Sequence, residues 1–248
     1  MEIKLKENER IDDLEYKGLK LIQNETGFCF GVDSVLLSDF AKCIKRKSKV
    51  LDLGTGTGII SILLSKKQSD LKIYGIEVQE DVAEMASRSV KLNGLEDVIE
   101  IINDNLKNLE NYFEASSIDA IVTNPPYKKN NTGVKNEDYK KLVSRHEIEC
   151  TLEDIIQVSK KVLKDKGEFY MINRAERLVD VLSLLRINKI EPKELRFIHS
   201  KENDKPLLFM VKAVKYGGEF LKIEKPLVIY REDGEYTDEI LEIYNKKR

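Results

Sequence analysis

Asn124-Pro125-Pro126-Tyr127 follows a short apolar run, Ser117-Ile118-Asp119-Ala120-Ile121-Val122-Thr123, whose composition predicts a strand. Proline has no N–H for a ladder, so the strand stops there and the chain turns. The turn offers an amide side chain, carbonyls and an aromatic ring within four residues. Asn124 Oδ1 and the Pro125 carbonyl can each accept one N–H, while Tyr127 can stack on a plane. That set suits an amino group conjugated to a ring. Held by both hydrogens out of conjugation, such a nitrogen presents its lone pair to an electrophile. The competing reading is a plain structural turn closed by an Asx bond.

About seventy residues upstream stands Asp52-Leu53-Gly54-Thr55-Gly56-Thr57-Gly58, a second turn rich in glycine. Gly54, Gly56 and Gly58 let a backbone bend tightly and approach a ligand with no Cβ in the way. A dinucleotide fingerprint would need a further glycine at position 59, where this chain has Ile59. The spacing therefore fits a nucleoside-bearing donor without a pyrophosphate. Glu77 ends the next strand-like run and can accept both hydroxyls of a ribose, unless it is a solvated strand end. Asp104 ends the run after that. It suits the amino hydrogens of an adenine, or equally a helix N-cap.

These residues need a frame that brings strand ends together. Strand and helix patterns alternate after the first 45 or so residues, as in a parallel α/β sheet. Strands are predicted at Lys49–Leu53, Lys72–Glu77 and Val98–Ile102, then at the run ending in Thr123, and at Gly167–Ile172, Leu195–Ser200 and Leu207–Val214. Asn93-Gly94 closes the helix that carries Val82, Met85, Ala86 and Val90. Thr151 with Asp154 reads as a capping box for a helix reaching about Asp165. Further helices are expected over Ala175–Arg186 and Thr237–Tyr244. The stretch Phe28–Leu37 suits a helix over the ligand pocket, with Asp33 or Ser34 near its start. Such a doubly wound sheet binds ligands at the carboxyl ends of its strands.

The chain has 248 residues, 41% hydrophobic and 35% charged, as expected of a globular protein with a full core. No apolar run is long enough for a membrane span, and the charged start, Met1 to Lys6, lacks a signal-peptide core. Cys29, Cys43 and Cys150 are scattered, which points to a reducing cytoplasm. With His146 and His199 the only histidines, no metal centre is expected. The net charge of −2 does not advertise nucleic acid, but its distribution is uneven. The cluster Lys42, Lys45, Arg46, Lys47 and Lys49 reads as solvated surface. Lys128, Lys129, Lys135 and Arg145 flank the Asn-Pro-Pro-Tyr turn and are candidates for RNA phosphate contacts.

The whole chain resembles one family. The resemblance is carried by Phe30-Gly31-Val32-Asp33-Ser34, the Asp52 to Gly58 turn, Asn124 to Tyr127, Arg174-Ala175-Glu176-Arg177-Leu178 and the Tyr230 to Tyr236 ending. It is similar to the bacterial tRNA (adenine-N6)-methyltransferases of the anticodon loop. The resemblance implies a seven-stranded class I methyltransferase fold with the last strand antiparallel, and S-adenosylmethionine as donor. It assigns Asp52, Gly54, Gly56, Thr57, Gly58, Glu77, Asp104 and Asn124 to the cofactor. It assigns Asn124, Pro125, Pro126 and Tyr127 to the target base. One domain is expected, with residues 1–45 over the cofactor pocket, 46–214 as the catalytic core and 215–248 as an extension. The expected partner is tRNA, the expected state a monomer.

The lysine-rich stretch from Lys128 to Arg145 departs from the arginine-richer loop the resemblance implies. Guanine-N2 methylation of rRNA and glutamine-N5 methylation of a protein use related chemistry and stay open as alternatives. A non-enzymatic RNA-binding scaffold should have lost a glycine, Glu77 or Asn124, and all are present.

Overall fold

The computed structural model describes residues 4–25, 31–125 and 150–246. It opens on an antiparallel hairpin, β1 (Glu9–Asp13) and β2 (Lys20–Asn24), followed by α1 (Val32–Phe40). Alternation then sets in with β3 (Lys49–Leu53), α2 (Ile59–Lys67), β4 (Lys72–Glu77), α3 (Glu80–Leu92) and β5 (Ile99–Asn103). A 3₁₀ turn over Leu106–Asn111 leads to β6 (Ile118–Thr123). After it come α4 (Leu152–Val162), β7 (Leu163–Arg174), α5 (Leu178–Ile187), β8 (Ile190–His199) and β9 (Pro206–Lys215). Short strands β10 (Lys222–Ile223) and β11 (Leu227–Val228) precede α6 (Asp238–Ile243).

The main sheet runs β10-β8-β9-β7-β6-β3-β4-β5, and β11 also pairs with β8. Strands β3 to β9 form the expected seven, with β9 antiparallel to both β7 and β8. In β6, Ala120, Ile121, Val122 and Thr123 are all fully buried, as a central parallel strand covered on both faces requires. One face packs Leu21, Leu36, Ile62 and Ile240 from the hairpin, α1, α2 and α6. The other packs Ile156, Phe169 and Leu185.

Local signals explain the helix ends. The Thr151 capping box is present, its hydroxyl accepting from Asp154 N at 3.1 Å while Thr151 N donates to the Asp154 carboxylate at 2.9 Å. Gly94 follows α3 with φ of 62°, a left-handed conformation that favours glycine.

The hairpin holds to α3 through Arg88, which grips Glu9 at 2.5 and 2.7 Å and Glu84 at 2.8 Å. That guanidinium keeps the Glu9 carboxyl below its ordinary range. Ser89 Oγ accepts from Ile22 N at 3.0 Å, so α3 also caps part of the hairpin's backbone.

Candidate active site

β3 lies between β4 and β6, in parallel with both. Leu53 is level with Ile76 on one side and Thr123 on the other. The glycine turn, Glu77 and Asn124 therefore leave the sheet along one edge, and Asp104 follows β5 on that edge beyond Glu77. The carboxyl ends of a doubly wound sheet are where its ligands bind. Thr123 Oγ1 donates to Leu53 O at 2.9 Å and ties the two motif-bearing strands together.

Gly54, Gly56 and Gly58 have φ of 70°, 56° and 86°, all left-handed. A Cβ built at Gly54 or Gly56 would meet nothing within 4 Å, so the turn is bare on its outer side. Its inner side is pinned: Gly54 N and Thr55 N both donate to Ile76 O, at 3.0 and 2.9 Å. Asp52 is fully buried beneath the turn. Its Oδ2 accepts from Thr55 Oγ1 at 2.7 Å and from Ser61 Oγ at 2.8 Å. Asp52 Oδ1 has no hydrogen-bond partner among the described residues. Burial pushes the Asp52 carboxyl up to about 6. The side chain that the resemblance gives to the cofactor is thus sealed from the surface and holds the turn's shape. Any contribution to a donor site runs through that turn.

Glu77 is 4% exposed. Its Oε2 accepts from Gly56 N at 3.1 Å and its Oε1 from Gln79 N at 3.0 Å. Asp104 is turned to the following 3₁₀ segment. Its oxygens accept from Asn105 N at 2.6 Å, Asn108 Nδ2 at 2.8 Å and Tyr112 OH at 2.8 Å. Those bonds, Asn108 foremost, keep its carboxyl below the ordinary range. The N-cap reading of Asp104 does not hold, since the cap of that segment is Asn105, whose Oδ1 accepts from Lys107 N at 2.9 Å. Asp104 braces the segment from one residue earlier, in the row of strand ends. Thr57 is half-buried on the turn.

Asn124 is half-buried, and its Nδ2 donates to Asp33 Oδ2 and to Ser34 Oγ, each at 3.2 Å. Both acceptors come from the first turn of α1, which brings the start of that helix to Asn124. The helix starts at Val32 after an extended Gly31, later than the expected Phe28; Phe28 to Phe30 lie outside the described residues. Pro125 is buried. Pro126, Tyr127, Lys128, Lys129, Lys135, Arg145 and His146 lie outside the described residues. His199, on β8, has its Nδ1 at 2.7 Å from Asp204 O, away from the motif residues in the sheet order.

Sequence reasoning missed three supporting residues. Ser61 was a readable signal, a lone hydroxyl in the apolar run Ile59-Ile60-Ser61-Ile62-Leu63-Leu64. Thr55 lay in view inside the glycine motif. Gly75 was not readable. A Cβ there would sit 2.9 Å from the Thr55 side chain and 2.8 Å from Ile101 Cδ1, so the strand needs glycine for Thr55 to reach Asp52.

The residues present fit a nucleoside donor, with open space over two left-handed glycines and a buried carboxylate at the next strand end. Among the described residues no group of His, Cys, Asp and Glu could hold a metal, and no helix is long and apolar enough to cross a membrane. A concavity of about 190 Å³ at the opposite end of the sheet is lined by Lys45, Ser48, Asp119, Lys164 and Lys166. It contains none of the motif residues, and Lys164 there is bonded to Asp119 at 2.6 Å.

A bare glycine turn, an acidic strand end and Asn124 at the end of the neighbouring strand, on one edge of this sheet, define a class I methyltransferase. Solved structures carry the same fold. A predicted O-methyltransferase from Agrobacterium tumefaciens superposes with a TM-score of 0.69 at 18% identity, over 86% of this chain and 95% of its own. An S-adenosylmethionine-dependent methyltransferase from Aquifex aeolicus gives 0.52 at 19%, over 71% and 86%. The methyltransferase small domain family model matches residues 31–186, and the chain belongs to that family. Among curated relatives is the tRNA1(Val) (adenine(37)-N6)-methyltransferase of Pedobacter heparinus, 26% identical over 90% of this chain and 92% of that protein. The enzyme of the same name from Proteus mirabilis is 28% identical over 84% and 82%.

Proposed function

We propose that this protein transfers a methyl group from S-adenosylmethionine to the N6 amino group of an adenine in a tRNA anticodon loop, the position named for its relatives. The observation that carries the reading is Asn124, with its amide nitrogen bonded to Asp33 and Ser34 at a strand end beside the glycine turn. With its nitrogen so engaged, the amide meets the substrate through its oxygen, an acceptor for an amino hydrogen.

The turn at Gly54 to Gly58 would pass along the donor, and Glu77 would accept from its ribose hydroxyls. Asp104 would take the hydrogens of the donor's adenine. Bound there, the donor supplies an electrophilic methyl. Asn124 Oδ1 and the Pro125 carbonyl hold the two hydrogens of the target amine and localise its lone pair, while Tyr127 stacks on the base. Orientation of this kind supplies up to roughly 7–11 kcal/mol when the geometry is near attack. No strong base is required beforehand, because the nitrogen's proton becomes acidic once it is alkylated. An anticodon loop is single-stranded, so splaying one base costs less than extracting it from a duplex. Lys128, Lys129, Lys135 and Arg145 would meet the flanking phosphates. The scattered cysteines fit a cytoplasmic setting.

Single-turnover methyl transfer to tRNA from cells lacking the gene tests the reading. Asn124→Ala should slow transfer by about 10²–10³-fold, the scale for one lost preorganised contact. Mass mapping of the product should place the methyl on adenine N6. Transfer at the wild-type rate by Asn124→Ala, or methylation of guanine or glutamine in its place, would overturn it.

A further inference from the structure

The start of α1 holds Asn124 in a way that goes beyond packing. The amide nitrogen of Asn124 has two hydrogens, and two acceptors stand 3.2 Å from it, Asp33 Oδ2 and Ser34 Oγ. Asp33 is itself fixed, since its Oδ1 accepts from Ser34 N at 2.9 Å. Ser34 is 4% exposed, so its hydroxyl has little room to move elsewhere. The residue before the helix is shaped to this arrangement. A Cβ at Gly31 would lie 2.7 Å from Asp33 Oδ1, well inside any real contact distance. Gly31 has φ of −104°, which any residue adopts, so what glycine spares there is a push on the Asp33 carboxylate and not a backbone strain.

An unheld asparagine amide turns about a broad torsion and presents either end. For an amine substrate the two ends are not equivalent: the oxygen accepts a hydrogen, and the nitrogen repels it. We infer that Asp33 is a positioning residue for methyl transfer, locking the Asn124 side chain, together with Ser34, so that only its oxygen meets the target amine. The inference rests on the reading of Asn124 given above. A carboxylate is also the strongest acceptor available for that task, and the charge behind the amide polarises its oxygen further. Asp33 acts through Asn124 and touches no reacting atom in this scheme.

The test is a double-mutant cycle read by single-turnover transfer to tRNA from cells lacking the gene, with donor affinity measured by calorimetry on S-adenosylhomocysteine. Asp33→Ala should slow transfer by about 10–100-fold and leave the donor dissociation constant within about twofold. Combined with Asn124→Ala it should add little, because removing Asn124 removes what Asp33 acts on. Gly31→Ala offers the same test without deleting the charge. It should displace the Asp33 carboxylate and slow transfer by a smaller factor, again with donor affinity kept. Losses that multiply in the double mutant, or a loss confined to donor affinity, would overturn the positioning role. If Asn124→Ala is slow while Asp33→Ala and Gly31→Ala are at the wild-type rate, only this inference falls. If Asn124→Ala itself is at the wild-type rate, the amino-group reading falls first and the positioning role with it.

Discussion

Glu77 Oε2 accepts a hydrogen bond from Gly56 N at 3.1 Å, so the acidic strand end and the glycine turn are joined before any ligand arrives. A ribose reaching Glu77 would meet a carboxylate already aimed by the backbone beside it. Preorganisation of this kind lowers the ordering cost of binding. Glu77→Ala should weaken S-adenosylhomocysteine by about 1–3 kcal/mol, the range for lost charged hydrogen bonds. Calorimetric titration checks this, and the same titration with NAD should show no binding to the wild-type protein.

Asp52 should leave a mark on the pH dependence of stability. Its carboxyl is raised to about 6 from an ordinary value of 3.8, so between those limits the folded chain holds a proton the unfolded chain releases. Stability from this group therefore falls as pH rises through that window, and the penalty is fully present above about 6. Asp52→Asn cannot ionise. Relative to wild type it should gain up to about 3 kcal/mol between pH 4 and pH 7. Urea unfolding of both proteins across that range reads the difference. A flat difference would show that the carboxyl titrates normally.

The lysines after the Asn-Pro-Pro-Tyr motif should govern RNA affinity and not donor affinity. Neutralising Lys128, Lys129 and Lys135 should raise the RNA dissociation constant. It should also flatten the salt dependence by about one log–log unit per lost phosphate contact. Filter binding at several salt concentrations measures both. An unchanged slope returns these lysines to the solvated surface.

The cysteines should differ in reactivity. Burial pushes the Cys150 thiol up to about 12, while Cys43 is exposed. Thiolate is the attacking species, so Cys43 should alkylate well before Cys150 at pH 8. Peptide mapping after a short iodoacetamide pulse gives the order directly, and faster labelling of the half-buried Cys150 would show that its thiol is not held protonated.

Much of the frame was legible because the signals were local. The glycine turn, the Thr151 capping box and the apolar run into Asn124 each declare themselves within a few residues. The hairpin did not. Glu-Arg-Ile-Asp-Asp carries no alternating pattern, and Ile11 is 41% exposed, since what holds β1 is Arg88 on a distant helix. Strand β7 was expected from Gly167 but begins at Leu163. Its pairing with β6 jumps from Ile118↔Leu163 to Ala120↔Glu168, and Lys166 within the jump has φ of 63°. That bulge let Lys164 to Gly167 pass for a helix end and turn. The contact of Asn124 with Asp33, across 91 residues, has no local signature at all.

The central place of β3 also gives its two pairings unequal closure costs. Its pairing with β4 closes a short span of chain, which gives the glycine turn and Glu77 an early route to their native relation. Its other edge waits for β6, and the Thr123–Leu53 bond spans 70 residues. The loop-closure cost of that span falls on the strand that ends at Asn124. A growing polypeptide can therefore bring the glycine turn and Glu77 together while the strand that ends at Asn124 is still being made.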